Sequence, residues 1–407
     1  MHKEHSFRTT SRQWVDESVH AAFSLGGRHA GVPEAYERLL RQVRLRTTLL
    51  RPAQDPRRLG RCRINAGLFA LALHHADWLR PVAAWLPPPA NPTPQFASLA
   101  HHLLALYPVP AFMTSAWFRV PADQPYPEQE WYKHLGRGGS IRTANLPLPF
   151  TRAMAHHFAQ APAHYTVAAA LRWGQVLGLG GPRELARAVV ATRLGREFAN
   201  EDFWLTVLRF FVLHPAMDLT HVGPVVDFLH AQRFAVREVF VPGQGVVRQG
   251  PPRPDYAMKG RTVASLLRQV EEWHRQLGQD ASTSARTWPR SRVGEFQYLE
   301  GTEQQENLRC WTIRELLTSG ELMQEGQAMR HCVACYVQDC VQRRTTIWSL
   351  QLDTGGGPRR ALTVEVDPAR KTIRQARGKG NRPPRQAERA VLETWAAREG
   401  LTSDPAA

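Results

Sequence analysis

A chain of 407 residues with 43% hydrophobic and 22% charged residues has the composition of a folded protein, which excludes an intrinsically disordered chain. That length exceeds one ordinary hydrophobic core, so we expect two or three domains. The formal net charge of +16 favours a polyanionic partner, and nucleic acid, either DNA or RNA, is the commonest one. Free use of arginine by a genome of high GC content is the alternative explanation of this charge.

The first part of the chain, residues 1–285, is predicted to be mainly helical. Apolar residues recur at helical spacing through residues 148–233, and an amphipathic helix is predicted at 262–277. Two proline-rich stretches, at residues 87–94 and 121–127, interrupt the pattern because proline is excluded from helix interiors. Each of these stretches is a candidate sub-boundary.

The tryptophans of this helical region fall at helical spacing beside leucine and phenylalanine. They are Trp78, Trp85, Trp117, Trp131, Trp173 and Trp204. This setting favours core packing over the stacking of nucleic-acid bases. A protein partner that binds the helical region is a further hypothesis.

The last part of the chain predicts a separate α+β module. Residues 286–292 are predicted to be a linker, residues 293–401 the module and residues 402–407 a tail. A helix is predicted at 312–322 and another from Gly326. Alternating patterns then predict three strands and a final helix, at 347–352, 361–366, 372–375 and 386–399. The order α-β-β-β-α with short turns predicts an antiparallel three-stranded sheet.

The cysteines and the apolar runs favour a cytoplasmic protein without a membrane partner. An odd number of cysteines, three of them crowded together, is not typical of a secreted disulfide framework: Cys62, Cys310, Cys332, Cys335 and Cys340. The N-terminus has no apolar stretch typical of a signal peptide. No apolar run approaches the roughly twenty residues that span a bilayer.

The most specific patterns of the chain lie in this last part. They are Met329-x-His331-Cys332-Val333-x-x-Tyr336, Thr363-x-Glu365 and Gln375-x-Arg377-Gly378-Lys379-x-Asn381. The set resembles the PcfJ-like proteins of conjugative plasmids, phages and bacterial chromosomes. Upstream motifs extend the resemblance to most of residues 60–400, at 85–112, 134–139, 171–175 and 258–261. The resemblance implies a mobile-element or phage-related setting and no particular reaction. Family members tend to carry a small residue at the position of Cys335.

A single helix from Gln327 to about Val341 is predicted to present two lines of side chains. Met329, Cys332, Tyr336 and Cys340 are among the members of an apolar stripe, so the two cysteines are predicted to be buried. His331, Cys335 and Asp339 share a flank at spacing i, i+4, i+8.

Three interpretations of His331 stay open. It activates Cys335 as a nucleophile, it binds zinc with Cys332 and Cys335, or it is a structural histidine that orders the core. Zinc is disfavoured because Cys332 points roughly 100° away on a helix. The paired histidines of the helical region point apart for the same reason, so we predict no metal and no cofactor.

The hairpin of the second and third predicted strands places the remaining polar side chains. With residues 368–371 as the turn, Glu365 faces Arg374 in an ion pair, and Gln375 faces Val364. Gln375 and Arg377 then share the face that the His331 helix covers. Because Glu365 lies on the other face in this register, the carboxylate pair of a metal-dependent nuclease is not predicted. A slip of one residue would reverse these faces.

Residues 359–389 contain ten basic and three acidic residues, the strongest basic block in the chain. Glycine beside lysine and arginine lets a backbone approach phosphate closely. The predicted phosphate-binding residues are Arg374, Arg377, Lys379, Asn381 and Arg382. A basic face that is merely solvated is the alternative interpretation.

Three functional hypotheses follow. The first is a nucleic-acid-binding protein that uses this basic block. The second is an enzyme acting on nucleic acid or a nucleotide, with His331, Gln375 and Arg377 as the candidate catalytic residues. The third is a helical interaction protein in which the C-terminal polar cluster is structural.

Overall fold

The structure is a computed structural model. It describes residues 31–47, 49–50, 60–89, 92–118, 126–241, 245–283, 286–301, 308–330, 333 and 336–403. The chain divides into two compact units. The first ends at Ala155 and also includes Ala159–Val167, and the second comprises His156–Phe158 and continues from Ala168. No helix in the described ranges is long and apolar enough to cross a bilayer.

The first unit is helical, as the sequence predicts. Its helices are α1 (Val32–Arg46), α2 (Gly60–Leu73), α3 (Pro92–Leu104) and α4 (Pro127–Gly136), and α5 (Arg152–Ala159) begins in it. Helix α1 buries Leu39, Leu40 and Val43 on one stripe. The edge of the Tyr36 ring meets the Phe69 ring of α2, with the ring centroids 5.3 Å apart.

Most of the tryptophans chosen from the sequence lie in the core. Trp85, Trp117 and Trp131 are buried in the first unit, and Trp173 and Trp204 are buried in the second. The prediction of core packing is confirmed for these five residues, which present no face on which a base could stack.

The second unit begins with a layer of helices. They are α6 (Val167–Gly178), α7 (Arg183–Val190), α8 (Glu201–Leu213) and α9 (Val222–Arg233), and α10 (Val263–Thr283) follows the two-stranded ribbon of β1 (Arg237–Val241) and β2 (Gly245–Gln249). Arg172 of α6 is fully buried and joins this layer together. Its guanidinium donates to the Leu194 carbonyl at 2.7 Å and to the Glu201 carboxylate at 2.6 Å. These hydrogen bonds offset the cost of burying the guanidinium, because each N–H that leaves water gains an acceptor in the protein.

The rest of the second unit is built on a six-stranded sheet. Its strands are β3 (Phe296–Glu300), β4 (Arg309–Glu315), β5 (Thr346–Asp353), β6 (Arg359–Asp367), β7 (Thr372–Arg377) and β8 (Thr402–Ser403), in that spatial order. The first five are antiparallel neighbours, and the short β8 pairs with β7 in parallel. The α+β layout is confirmed, and the prediction of only three strands is wrong because β3, β4 and β8 were missed.

The missed strand β4 shows why the prediction fell short. Residues 312–322 were predicted to be a helix, yet the buried residues of this segment alternate as Trp311, Ile313 and Glu315. That period of two is the signature of a strand with one buried face. Helix α11 (Ser319–Met329) begins only after Thr318, whose hydroxyl accepts from the Glu321 backbone N–H.

The predicted continuous helix from Gln327 to Val341 is also wrong. Helix α11 ends at Met329 because Arg330 has a left-handed backbone with φ of 53°, and α12 covers only Val337–Val341. The burial that was predicted for Cys340 is confirmed, since it lies in one apolar cluster with Leu322, Val333 and Ile347. The common line of His331, Cys335 and Asp339 was predicted on that continuous helix, and His331 and Cys335 lie outside the described residues.

The two faces of the sheet differ in chemistry. Leu362, Val364 and Val366 of β6 are buried on the apolar face. There the ring centroids of Trp348 and Trp395 are 5.0 Å apart, so helix α13 (Gln386–Glu399) covers this face. The opposite face carries Thr363 and Glu365 beneath α11 and Tyr336, and it holds the candidate site.

The predicted linker runs beside the sheet. Trp288 is buried, and its indole donates to the Leu316 carbonyl at 3.0 Å. Thr402 pairs with Thr372, so the first residue of the predicted tail belongs to the sheet. The domain boundaries predicted from the sequence stay predictions.

Candidate functional site

A β-bulge sets which polar side chains meet on this face. Glu365 pairs directly with Gln375, whereas Val366 pairs with Ile373, so Arg374 is an extra residue in β7. The predicted register holds at the turn and is wrong beyond Val366, because the inserted residue reverses the faces. Gln375 therefore lies opposite Glu365 and not opposite Val364.

Glu365 stands at the centre of one polar group. It accepts from the Tyr336 hydroxyl at 3.2 Å and from the Thr345 hydroxyl at 3.3 Å. The predicted ion pair with Arg374 is long, at 3.6 Å, and Arg374 lies nearer to Asp367, at 2.6 Å. Although burial alone raises the pKa of Asp367, hydrogen bonds from the Arg370 backbone and the Arg374 guanidinium bring that pKa below its usual value.

Glu325 of α11 forms a second polar group on the same face, and the sequence analysis missed it. This fully buried carboxylate accepts from Ser349 at 3.0 Å, from Arg360 at 2.8 Å and from Thr363 at 2.7 Å. Burial raises its pKa, while these three partners oppose the shift. Arg360 reaches this face because a second bulge, opposite Leu350 and Gln351, displaces the register.

The signal for Glu325 was present in the sequence. Leu322, Glu325 and Met329 follow the helical spacing i, i+3, i+7, and all three are buried. A glutamate inside an apolar stripe requires internal partners. The second predicted helix began only at Gly326, so the stripe was not recognised.

Arg377 and Gln375 of β7 form hydrogen bonds with the segment between α7 and α8. Arg377 is 8% exposed, and its guanidinium donates to the carbonyls of Ala191 and Ala376 at 3.2 Å each. Arg196 donates to the Gln375 side chain at 2.7 Å and to the Arg374 carbonyl at 3.2 Å. Burial, followed by the charge of Arg196, lowers the pKa of Arg377 to about 10. No sequence pattern pointed to Arg196, which stands 179 positions before Gln375.

The other predicted phosphate ligands have varied surroundings. Lys379 is exposed at the start of the turn Lys379–Asn381. Asn381 lies against Gly223 of α9. Arg382 forms an ion pair with Glu388 at 2.6 Å. Burial raises the pKa of Glu388, but Arg382 and the Arg385 backbone outweigh this and hold it below its usual value.

Two titratable side chains of α9 lie close to the arginines of the helical layer. Burial raises the pKa of Asp227 to about 6, against the opposing charges of Arg193 and Arg196. Burial also lowers the pKa of His230 to about 4, with a contribution from Arg193. In the part of the chain that the structure describes, no carboxylate forms an ion pair with Arg196.

His331, Cys332 and Cys335 lie outside the described residues, so the catalytic role of His331 stays a prediction. Their described neighbours are Val333, which is buried, and Tyr336, which reaches Glu365. Across the described ranges, no group of three His, Cys, Asp or Glu side chains is arranged to hold a metal ion.

The fold and the site define a class of protein: an α+β module whose sheet has one face lined by glutamate, glutamine and arginine. Residues 272–392 match the family model of PcfJ-like proteins. The match confirms the resemblance to PcfJ-like proteins for this segment, which makes up less than a third of the chain. The matched segment contains Glu325, Glu365, Gln375 and Arg377.

The upstream motifs lie before the matched segment, so their resemblance stays a prediction. Comparisons with curated proteins and with solved structures gave no match.

Proposed function

We propose that the protein binds nucleic acid through phosphate contacts made by exposed cations of residues 359–389, in the mobile-element or phage-related setting that the family resemblance implies. The observation that carries this proposal is the exposure of six of the ten basic residues in this segment. They are Arg359, Arg370, Lys371, Lys379, Arg385 and Arg389. Exposed cations attract a phosphate backbone and release its condensed counterions.

Four of these cations gather at one end of the sheet and are here called the cation cluster: Arg359, Lys379, Arg385 and Arg389. The Arg382 guanidinium donates to the Ala361 carbonyl at 3.2 Å, so the turn before α13 lies beside the start of β6. Arg370 and Lys371 lie at the far end of β7, about 20 Å away for a six-residue strand.

Three of the four remaining basic residues of the segment serve the fold. Arg360, Arg374 and Arg382 are paired with carboxylates, at 2.8, 2.6 and 2.6 Å. Their charges are already neutralised, so we assign the phosphate contacts to the exposed residues and not to these three.

The test is the binding of labelled DNA and RNA, single- and double-stranded, over a salt series. We expect micromolar or tighter binding at low salt and a steep loss of affinity as salt rises. Absent binding at low salt, or binding that salt does not change, would contradict the proposal.

A second candidate is an enzyme acting on nucleic acid or a nucleotide, with His331 as acid or base. The observation in its favour is the pairing of Glu365 with Gln375, which puts an acid and an amide on the same side of the sheet. Turnover of a nucleic-acid or nucleotide substrate that His331→Ala abolishes, with binding and folding intact, would support it. An unchanged rate in His331→Ala would remove His331 from the reaction.

A further inference from the structure

We infer that Arg196 and Arg377 form a binding site for a phosphate dianion, either inorganic phosphate or the terminal phosphomonoester of a larger molecule. Arg196 donates to Gln375, two residues before Arg377 in β7, and Arg377 donates to the Ala191 carbonyl, five residues before Arg196. This site is distinct from the cation cluster, because Arg377 is buried and Arg196, which is half-buried, lies outside residues 359–389.

Arg377 and Arg196 form no ion pair with a carboxylate among the described residues. All partners of Arg377 and Arg196 among the described residues are neutral: the carbonyls of Ala191, Arg374 and Ala376 and the Gln375 amide oxygen. A buried cation without an anionic partner is costly, and two adjacent ones repel each other. The lowered pKa of Arg377 follows from both effects.

Other buried or half-buried arginines of this chain do have carboxylate partners. Arg172 is paired with Glu201 at 2.6 Å, and Arg382 with Glu388 at 2.6 Å. Arg193, three residues before Arg196, donates to Glu197 at 3.3 Å. Only neutral acceptors serve the Arg196–Arg377 pair within the described ranges, although the fold supplies carboxylates to its neighbours.

Arg377, Arg196 and Gln375 each keep a donor that has no acceptor in the described part of the chain. Within the described residues, no acceptor is found for Nη2 of Arg377, Nε of Arg196 or Nε2 of Gln375. The planar forks of arginine match the oxygens of phosphate. Two fixed positive charges match a dianion better than the single charge of a backbone diester, so the site favours inorganic phosphate or a terminal phosphomonoester.

The nearby carboxylate of Asp227 is the alternative counterion of Arg196, and a variant distinguishes it from phosphate. Its charge interacts with Arg193 and Arg196, but it forms no ion pair with either within the described ranges. If a phosphate is the missing counterion, Asp227→Asn removes a repulsive charge and tightens phosphate binding. If Asp227 is itself the counterion, the same change destabilises the protein and does not improve binding.

The first measurement is thermal unfolding of the full chain in sodium phosphate and in sodium chloride of equal ionic strength. A ligand that binds the folded state raises its melting temperature, so we expect stabilisation by phosphate only. Equal melting temperatures in the two salts would overturn the inference.

The source of the phosphate is tested with short single-stranded oligonucleotides that carry either a 5′-phosphate or a 5′-hydroxyl. Tighter binding of the phosphorylated oligonucleotide identifies a nucleic-acid end as ligand. Equal binding, together with stabilisation by inorganic phosphate, identifies a small phosphate compound. The inference does not require the proposed function, because the phosphate effect is measured without nucleic acid.

The variant Arg196→Gln assigns the site, and Arg193→Gln is its matched control, since Arg193 already has a carboxylate partner. We expect Arg196→Gln to weaken phosphate binding at least about tenfold, as one charge-assisted hydrogen bond is lost. Arg193→Gln should weaken phosphate binding much less than Arg196→Gln does. Equal binding by Arg196→Gln and the unchanged protein would overturn the assignment. Arg377→Gln adds a second test if that variant folds.

Discussion

Glu325 shows how a single residue organises the polar face of the sheet. Its carboxylate is fully buried and is the shared acceptor of Ser349, Arg360 and Thr363. The network joins α11 to both β5 and β6. Folding removes the Ser349 and Thr363 hydroxyls from water. The stability of the folded protein therefore depends on the one carboxylate that accepts their hydrogen bonds.

We predict that Glu325→Ala lowers the free energy of unfolding by roughly 2–4 kcal/mol. The reason is that Ser349 and Thr363 lose their acceptor and that Arg360 loses its counterion. Urea unfolding, followed by circular dichroism, measures the change. The control Glu393→Ala, at an exposed position of α13, should stay within about 0.5 kcal/mol of the unchanged protein. Similar stabilities of the two variants would contradict the role of Glu325.

A second residue-scale prediction concerns the pH dependence of stability. Burial raises the pKa of Asp227 to about 6, from 3.8 in the unfolded chain. The folded state therefore holds this proton more tightly, and stability falls as pH rises between these two values. Asp227→Asn should be more stable than the unchanged protein at pH 8, by about 1–2 kcal/mol, and nearly equal to it at pH 4.

The control for this prediction is Asp218→Asn, whose effect has the opposite sign. Asp218 accepts from the Thr220 backbone N–H at 2.9 Å, and this hydrogen bond holds the pKa of Asp218 below its usual value. Asp218→Asn should therefore lose stability at pH 8. Denaturant unfolding at the two pH values checks both variants, and a loss of stability in Asp227→Asn at pH 8 would contradict the assignment.

At the residue scale, the sequence predicted which side chains are buried better than it predicted their hydrogen-bond partners. The spacing of Cys340 in an apolar stripe correctly indicated a buried residue. The contact of Gln375 with Arg196 joins residues 179 positions apart, and no local pattern encodes it. Long-range polar contacts depend on how the elements dock, which one sequence does not specify.

At the scale of elements, the last helix and the central strands were predicted almost to their ends. Helix α13 spans Gln386–Glu399, as the periodicity indicated, and β5, β6 and β7 contain the three predicted strands. The register of β6 and β7 was predictable only as far as the turn. The bulge at Arg374 adds one residue without changing the apolar pattern that defines the strand.

The close contact of α9 with the turn Lys379–Asn381 gives an element-scale prediction. A Cβ atom at Gly223 would overlap the Asn381 amide, which must then move. We expect Gly223→Ala to destabilise the protein by about 1–3 kcal/mol, although alanine is the better helix former. Thermal or urea unfolding measures this change.

The double variant Gly223→Ala with Asn381→Ala is the control. Removing the amide creates room for the new methyl group, so most of the lost stability should return. If the double variant is no more stable than Gly223→Ala alone, the contact between α9 and the turn is not the cause.

At the scale of the whole molecule, the basic residues fall into two groups, those that are paired with carboxylates and those that are exposed. Some basic residues hold the structure together, as Arg172 does with Glu201. Others are exposed and free to meet a polyanion, as Lys379 and Arg389 are. The net charge of +16 leads us to expect a polyanionic partner, but it does not tell which cations are exposed, because ion pairing depends on tertiary contacts.

The second unit also joins parts that the sequence analysis kept separate. Arg196, in the segment between α7 and α8, contacts β7, and Gly223 of α9 contacts the turn Lys379–Asn381. The family motif around Gln375 and Arg377 therefore contributes to the docking of the helical layer. Any ligand of this motif is bound beside that layer.

The cation cluster is tested most directly by the salt dependence of nucleic-acid binding. One variant replaces Arg359, Lys379, Arg385 and Arg389 with alanine. The control replaces four exposed arginines elsewhere, so that the total charge is equal: Arg44, Arg142, Arg152 and Arg209. We predict that the cluster variant reduces the slope of log affinity against log salt by roughly 2–4, while the control stays close to the unchanged protein. Equal slopes for the cluster variant and the control would contradict the account.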